Sequence, residues 1–363
     1  MASETLSLLI GEARSSDNFL VESVQPWLTE EIYSEYYAVS RSNSTILPDT
    51  LLYVVNYKDN KACVLVSYTK ELQGVVAVLP NQNLSTAENI NNNPGFKIYM
   101  DLFKEAYLTG NINKLYTIDD FKKYIPEGVA TLSADDEGWT TVTQYPVKLI
   151  QEWGQGAPYN KYCFDPNTGR QALAGCGPVA LAQALTYFRE PSTINGYSIS
   201  WKSTSNVKPE TDYEKDAVAR LIHEVGVLCY AQYTDTATSV YPSSMANALK
   251  TLNYTYTQES FSNEIKMIHN LYQFGPAIMT GSSRKSDGTR ISGHAWVIDG
   301  ALAQHNTLYN DKGTRFLYHC NWGWNGNRNG YFLSTAFNPY GDTYGDRYKY
   351  NYDLSTIYFI QRP

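Results

Sequence analysis

One cysteine lies where its thiol could act as a nucleophile. Cys176 sits between two glycines, directly before Pro178 and an apolar run with helical spacing. A thiol at a helix N-terminus faces the partial positive charge of the helix dipole, which favours the thiolate and lowers the cysteine pKa. Gly175 and Gly177 let a carbonyl approach the backbone, and free amide groups at a helix start can bind a developing oxyanion. The pattern predicts attack of Cys176 on a carbonyl carbon; the alternative is a small buried thiol at the start of a core helix.

A nucleophilic thiol needs a base from elsewhere in the chain, and five histidines are available. His294 follows a glycine at the start of the apolar run HAWVID, where a side chain is held rigidly at a sheet edge. We predict His294 as the base, with a strand-end histidine bonded to backbone as the alternative. His319, in FLYHCNWGW, is the rival base. His223 and His269 lie in amphipathic helical patterns and His305 in a polar segment, which favours ordinary surface roles.

A third group could orient the imidazole. Asn321, Trp322 and Trp324 follow His319 almost directly, and an asparagine beside two indoles can bond an imidazole nitrogen while the rings exclude water. The alternative is a core tryptophan pair at a glycine turn. Cys176 and Asn321 are 145 residues apart, and the order Cys, His, Asn approximates the papain-like spacing.

These residues need a helix and a sheet to position them. Apolar residues recur every four positions after Pro178, which predicts a helix over about 177–189. Four later runs have strand composition, at 276–279, 294–299, 315–320 and 331–334. A polar loop at 281–293 joins the first two runs. A central helix followed by an antiparallel sheet indicates an α+β fold.

The first third of the chain reads as a separate small α+β unit. Strand-like runs at 51–57, 62–68 and 74–79 suggest an antiparallel meander, and an apolar helical pattern begins at Pro94. The segment PEGVATLSADD, from Pro126, is the best candidate linker. We therefore divide the chain into residues 1–125, a linker at 126–145 and a larger domain at 146–363.

Composition excludes several function classes. Lys plus Arg total 29 against 36 Asp plus Glu, and a net charge of −7 argues against nucleic-acid binding. No apolar run approaches the ~20 residues of a membrane helix, and the N-terminus lacks the pattern of a secretory signal. Five scattered cysteines predict no disulfide, and without metal-ligand spacing we expect no metal or organic cofactor.

Four motifs in a fixed order resemble one known family. WGQGAPYN is followed by Cys163, then by AGCGPVALAQAL, GHAWVIDG and CNWGWNGNRNGYF, and the run ends at Asn338-Pro339. This segment, 153–339, closely resembles the streptopain family of secreted bacterial cysteine proteases. The resemblance covers the C-terminal three-fifths of the chain. It implies a papain-like α+β fold made as a zymogen, and residues 1–125 resemble the family's inhibitory prodomain more loosely.

The resemblance also implies roles for individual residues. Cys176 would be the nucleophile and His294 the general base, and Asn321, Trp322 and Trp324 match the family's NWGW segment as orienting or shielding groups. The backbone N–H of Cys176 and the side chain of Gln171 would bind the oxyanion. Arg170 and Gln155 compete with Gln171 for that role. Gly177-Pro178 departs from the small β-branched residue and alanine that often follow the cysteine.

A further set of residues is expected to border the substrate cleft. The polar loop that leads into His294 is the main candidate, with an ordinary surface hairpin as its alternative. The expected cleft residues are Gly281, Ser282, Gly293 and Gly323.

The predicted function is a secreted cysteine endopeptidase that acts on protein or peptide substrates and is inhibited by its own prodomain. A Cys-His acyltransferase or cell-wall peptide amidase is one alternative, since the same acyl-enzyme serves other nucleophiles. A catalytically inert binding or adhesion protein is another, for which 31 tyrosines could supply the surface. The resemblance implies a secreted, periplasmic or cell-surface location.

Overall fold

The structure is a computed structural model. It describes residues 20–33, 47–68, 74–87, 90–125, 139–260, 263–284, 289–306, 313–339 and 353–362. The N-terminal segment and residues 126–138 of the expected linker therefore lie outside the described residues.

One sheet of eleven strands runs through the described chain. The strands are β1 (Val21–Leu28), β2 (Thr50–Tyr57), β3 (Ala62–Ser67), β4 (Val75–Pro80), β5 (Trp139–Tyr145), β6 (Thr255–Glu259), β7 (Ala277–Arg284), β8 (Arg290–Asn306), β9 (Thr314–Asn321), β10 (Gly330–Leu333) and β11 (Ser355–Gln361). Their order across the sheet is β1-β2-β3-β4-β10-β9-β8-β7-β11-β6, and β5 pairs with the second half of β8. All of these pairings are antiparallel. Two further two-stranded hairpins comprise Thr193–Ile194 with Tyr197–Ser198 and Gln232–Tyr233 with Thr238–Ser239.

Five helices of ten residues or more pack on this sheet or on one another. They are α1 (Pro94–Leu108), α2 (Cys176–Phe188), α3 (Asp212–Leu228), α4 (Pro242–Thr251) and α5 (Glu264–Gln273). Single α-helical turns occur at Thr29–Ile32 and Ile118–Phe121, and 3₁₀ turns at Lys58–Asn60, Ile90–Asn92, Asn111–Asn113, Lys122–Tyr124 and Ser334–Phe337.

Local sequence explains where the two helices nearest Cys176 and His294 begin, and where the second of them ends. Asn93 caps α1 by accepting a hydrogen bond from the Phe96 N–H at 3.1 Å, and Pro94 occupies the first turn. α2 begins at Cys176, as the sequence predicts, and stops where Arg189 adopts a left-handed conformation with φ of 57°.

Two core clusters lie on opposite faces of β8. Because side chains alternate along a strand, Trp296 and Ile298 pack in the cluster that contains α1, whereas Ala295 and Val297 pack in the cluster that contains α2. The first cluster also holds Trp27, Phe96, Trp322 and Phe332. Residues from both ends of the chain therefore share one core.

The N-terminal meander is not a sheet of its own. β4 pairs with β10, with Val78 opposite Tyr331 and Ala77 opposite Phe332. The predicted strands are present within about one residue, but their edge is completed by the larger domain. A strand edge exposes unpaired N–H and C=O groups, and this pairing satisfies them in both units.

Two predicted segments have different bounds in the structure. The segment 281–293 is largely a hairpin, the alternative that the sequence left open, because β7 continues to Arg284 and β8 already begins at Arg290. The linker at 126–145 is too long at its C-terminal end, because residues 139–145 form β5. Both segments have polar or threonine-rich composition, and pairing with a neighbouring strand makes them β-structure.

No helix among the described residues is long and apolar enough to cross a membrane.

Candidate active site

The start of α2 presents Cys176 at a sharp turn of the backbone. Gly175 has a φ of 89°, and a Cβ atom there would lie 2.7 Å from the Thr238 methyl carbon. Only glycine accommodates both constraints at low cost. The thiol is half-buried and lies in reach of β8, against which α2 packs.

The pKa of the Cys176 thiol is lowered from its ordinary value of 9.0. Burial by itself raises this pKa, but the charge and hydrogen bonding of the His294 imidazole outweigh it. The backbone N–H groups of Ala295 and Gly177 also donate to the sulfur and lower the pKa further. The site therefore favours the thiolate form of Cys176.

The other thiols behave in the opposite way. Burial raises the pKa of Cys163 to about 11 and that of Cys229 to about 12, and it also raises that of Cys320. No disulfide links any of the five cysteines, all of which lie in the described residues. Of the four thiols whose pKa is shifted, Cys176 is the one whose pKa is lowered.

His294 is oriented by a backbone carbonyl. Its Nε2–H donates to the carbonyl oxygen of Trp322 at 2.7 Å, and its ring meets the Trp324 indole edge-on at 6.1 Å. The imidazole is only 4% exposed. A bond at Nε2 leaves Nδ1 as the ring nitrogen that can serve the thiol.

Asn321 does not contact the imidazole. Its Nδ2 donates to the Gln151 carbonyl at 2.5 Å, and its Oδ1 accepts from the Gly323 N–H at 3.1 Å and from Gln183 Nε2 at 3.4 Å. Asn321 thus shapes the turn that carries Trp322. The sequence left open whether an amide or an indole contacts His294. In this structure the Trp324 indole contacts the ring, and the hydrogen-bond acceptor is the backbone carbonyl of Trp322.

The two indoles of the NWGW segment have different surroundings. Trp322 is fully buried and its Nε1–H donates to the Arg328 carbonyl at 2.8 Å. Trp324 is partly exposed and packs at the edge of the His294 ring. Trp322 therefore anchors the segment 322–329, which we call the active-site loop, and Trp324 shields the imidazole.

The side-chain amide of Gln171 is hydrogen-bonded to two backbone carbonyls. Its Nε2 donates to the carbonyl oxygens of Asn160 and Cys163, so in this conformation it has no N–H left for an oxyanion. The competitor Arg170 pairs with Asp235 at 3.4 Å on the surface. Gln155 is the remaining candidate for the oxyanion site. Its backbone carbonyl accepts a hydrogen bond at 2.8 Å from the N–H of Ala174, two residues before the nucleophile. No described residue is hydrogen-bonded to the Gln155 side chain.

The four expected cleft residues are not gathered in one place. Gly281 pairs with His294 but is buried, and a Cβ atom there would lie 3.1 Å from Ile98 of α1. Ser282 is buried and donates to Asp353 Oδ2 at 2.9 Å. Gly293 lies beside the Arg290 guanidinium, and Gly323 lies against Val179 in the first turn of α2. Of the four, Gly323 alone adjoins the helix of the nucleophile.

The rival base, His319, belongs to a second polar cluster that the sequence did not suggest. Its Nδ1–H donates to the fully buried Asp299 at 2.6 Å, and Asp299 also accepts the Leu149 N–H at 3.1 Å. The pairing is visible only in three dimensions, because Asp299 and His319 are on neighbouring strands, twenty residues apart. The imidazole that acts on the Cys176 pKa is that of His294.

The N-terminal unit covers the site. At Gly95, in the first turn of α1, a Cβ atom would lie 2.3 Å from the Trp322 ring and 2.9 Å from the His294 ring. Asn93 adds a hydrogen bond from its Nδ2 to the Asn327 carbonyl at 2.8 Å. The start of α1 therefore lies directly on the imidazole and on the active-site loop.

Comparison with known proteins agrees with this geometry. The model of the peptidase C10 family matches residues 153–332. Streptopain from Streptococcus pyogenes is 27% identical over 233 residues, which cover 52% of this chain and 54% of streptopain. The thiol protease/hemagglutinin PrtT from Porphyromonas gingivalis is 27% identical over 221 residues, covering 52% of this chain and 23% of PrtT. The chain thus spans about half the length of the streptopain that it matches.

A solved structure extends the likeness to the N-terminal unit. A fragment of prointerpain A from Prevotella intermedia superimposes with a TM-score of 0.57 at 22% identity, covering 85% of this chain and 94% of the fragment. The predicted fold, a papain-like α+β domain preceded by a smaller α+β unit, is confirmed by this likeness.

Proposed function

The chain belongs to the peptidase C10 family, and from that premise we propose that it is a cysteine endopeptidase made as a zymogen. The observation that carries the proposal is the lowered pKa of Cys176 beside an imidazole that the Trp322 carbonyl holds in place. The same observation argues against an inert binding protein, because shifted pKa values of this kind are concentrated at functional sites.

In the proposed mechanism, the Cys176 thiolate attacks the scissile carbonyl carbon. The carbonyl oxygen becomes an oxyanion that accepts hydrogen bonds from the Cys176 N–H and from the Gln155 amide. The His294 imidazolium then donates its proton to the leaving amine, the C–N bond breaks, and a thioester remains. Neutral His294 next removes a proton from water, which hydrolyses the thioester and restores the thiolate. The Trp322 carbonyl keeps the imidazole oriented throughout.

The N-terminal unit is proposed as an intramolecular inhibitor. α1 begins against the His294 ring, so a substrate cannot reach the imidazole from that side while Gly95 is in place. Activation then requires a cut between the two units. The segments on both sides are packed: Tyr124 stacks on His269 at 4.5 Å, and Trp139 already lies in β5. We therefore place the maturation bond within 126–138.

Under this proposal the substrates are proteins or peptides, and the reaction needs no metal or organic cofactor. The resemblance to the streptopain family extends to a secreted or cell-surface location. Fractionation of the producing bacterium, with detection of the chain in medium, envelope and cytosol, tests that part.

Alkylation of the full chain at about pH 5, followed by mass spectrometry, tests the proposal most directly. Cys176 should react ahead of the other thiols, and faster once the chain has processed itself. A Cys176→Ala variant should neither digest casein nor process itself, whereas the matched control Cys229→Ala should do both. Equal labelling of all five cysteines together with intact casein would contradict an endopeptidase.

A further inference from the structure

A cavity of about 750 Å³ opens beside the active-site loop. Three parts of the chain form its walls: the end of β4, the segment that precedes Trp153, and the active-site loop with the end of β9. Its lining is unusually rich in side-chain amides and contains few charges. The lining residues that matter here are Gln82, Glu152, His319, Trp324, Asn325 and Asn329.

One residue, Trp324, connects this cavity to the imidazole. Trp324 belongs to both places, because it lines the cavity and its indole lies 6.1 Å from the His294 ring. In the proposed mechanism His294 gives its proton to the leaving amine, so the substrate residues after the scissile bond must pass the imidazole. Residues that pass the imidazole on the side of Trp324 would reach this cavity.

A carboxamide of the N-terminal unit already occupies the wall of the cavity. Gln82 accepts the Arg328 N–H through Oε1 at 2.8 Å and donates from Nε2 to the Asn329 carbonyl at 2.9 Å. The loop backbone thus offers one donor and one acceptor side by side. A carboxamide is the side-chain group that satisfies both at once.

We propose that the groove that remains when the N-terminal wall of this cavity leaves, between the active-site loop and the segment that precedes Trp153, is the subsite for residues on the leaving side of the scissile bond, and that it selects an asparagine or glutamine there. The proposal rests on the proposed function. Once the N-terminal unit leaves, the Arg328 N–H and the Asn329 carbonyl lose Gln82 and become available to a substrate carboxamide. The substrate then takes the position that Gln82 holds in the intact chain.

The hydrogen-bonding pattern of the loop backbone, together with the charge of Glu152, favours glutamine over its isostere glutamate. A carboxylate has no N–H for the Asn329 carbonyl and would place two acceptors against each other. Glu152 lies on the cavity wall, and behind His319 lies the buried carboxylate of Asp299. Glu152 adds repulsion of an incoming anion, which its ion pair with Lys208 offsets in part. A site built to hydrogen-bond a particular group discriminates strongly against an analogue that lacks it.

Matched peptides test the preference. The full chain is incubated under reducing conditions until its activity is constant, and one casein bond that it cuts is chosen. Peptides with that sequence then carry glutamine or glutamate at the first, second or third position after the bond. The aminocoumarin amide of the same acyl half, which has no residue after the bond, is the reference. At one of these positions we expect the kcat/KM of the glutamine peptide to exceed that of the glutamate peptide at least tenfold.

Two variants separate the cavity from general electrostatics. Glu152 pairs with Lys208 at 3.3 Å, and Lys208 does not line the cavity. Glu152→Gln and Lys208→Gln both break this ion pair, but the first alone removes charge from the wall. Relative to the aminocoumarin rate, Glu152→Gln should raise cleavage of the glutamate peptide by about threefold, a size typical of partly exposed charges. Lys208→Gln should not raise it.

The outcomes distinguish the inference from its premise. Equal cleavage of glutamine and glutamate peptides at all three positions, with the aminocoumarin substrate still hydrolysed, overturns the subsite and leaves the endopeptidase in place. An equal response to Glu152→Gln and Lys208→Gln overturns it as well. Failure of the unmodified chain to cut casein or the aminocoumarin substrate contradicts both proposals.

Discussion

Cys176 and Cys229 carry the same thiol, and burial acts on both, yet their pKa values move in opposite directions. Around Cys229 burial raises the pKa to about 12 with nothing to oppose it. Around Cys176 burial also raises the pKa, but the His294 imidazole and the Ala295 N–H bring it below 9.0. Reactivity at this residue is therefore a property of its neighbours.

This difference predicts the pH dependence of alkylation. Only the thiolate reacts, so the rate follows the fraction ionised, and for Cys176 it should rise through a midpoint below pH 9.0. The rates for Cys163 and Cys229 should stay low up to about pH 11 and 12. His294→Ala should move the Cys176 midpoint upward, because burial is then less opposed. Rates come from mass spectrometry of timed samples.

The matched control for this measurement is His223→Ala. His223 lies on α3 and contacts Glu224 at 3.1 Å, away from the thiol. The Cys176 midpoint should stay where it is in this variant. A midpoint that moves equally with either histidine, or that does not move with His294→Ala, would show that the imidazole is not what lowers the pKa.

The start of α1 and the end of β4 bring the N-terminal unit onto the site. α1 begins at the imidazole, and β4 ends where Gln82 meets the active-site loop. Asn93 serves both purposes, since it caps α1 through Oδ1 and bonds the Asn327 carbonyl through Nδ2. The start of α1 and the end of β4 thus hold the N-terminal unit on the site through backbone and amide contacts.

The close approach of α1 predicts the effect of Gly95→Ala. The added methyl group would lie 2.3 Å from the Trp322 ring, so the start of α1 must move away. Overpacking of this kind costs about 2 kcal/mol, or roughly 30-fold in the docking equilibrium. The full chain should therefore process itself several-fold faster. The measurement is the time course of conversion on gels, together with aminocoumarin hydrolysis.

Gly156→Ala is the control, because a Cβ atom there meets nothing within 4 Å. It should process at the rate of the unmodified chain. Unchanged or slower conversion of Gly95→Ala would contradict the idea that α1 blocks the imidazole.

Across the whole molecule, the sheet and one core cluster join the two units. β4 pairs with β10, and the first core cluster contains Phe96 of α1 as well as Phe332 of β10, whose rings lie 6.1 Å apart. Cutting the chain between the units removes a covalent link but none of these contacts. If the N-terminal unit acts as the proposed inhibitor, these contacts should hold it on the site after the cut.

This continuity predicts that a nicked chain stays together. In the Cys176→Ala background, which prevents self-digestion, an added protease cuts within 126–138. Both fragments should then co-elute in gel filtration at neutral pH and separate only in denaturant, because buried strand pairs and aromatic contacts persist. Immediate separation after the cut would indicate that the shared sheet contributes little to docking.

The sequence alone determined the features that depend on neighbours along the chain. A glycine-flanked cysteine before Pro178 indicates a helix start, Asn93-Pro94 indicates another, and alternating apolar runs indicate most of the sheet. These signals act within a few residues, so they are legible without the fold. The same motifs, taken in order, were enough to identify the family and to single out Cys176 and His294.

Only the tertiary structure decided how distant segments meet. In the structure the acceptor of His294 is the Trp322 carbonyl, whereas the sequence had suggested Asn321. This acceptor could not be predicted, because every residue carries a carbonyl and composition does not single one out. The tertiary structure occupied the Gln171 amide with the Asn160 and Cys163 carbonyls. It also made residues 139–145 a strand and fused two predicted sheets into one. Such pairings depend on where two backbones approach, and that is fixed by the packing of the whole chain.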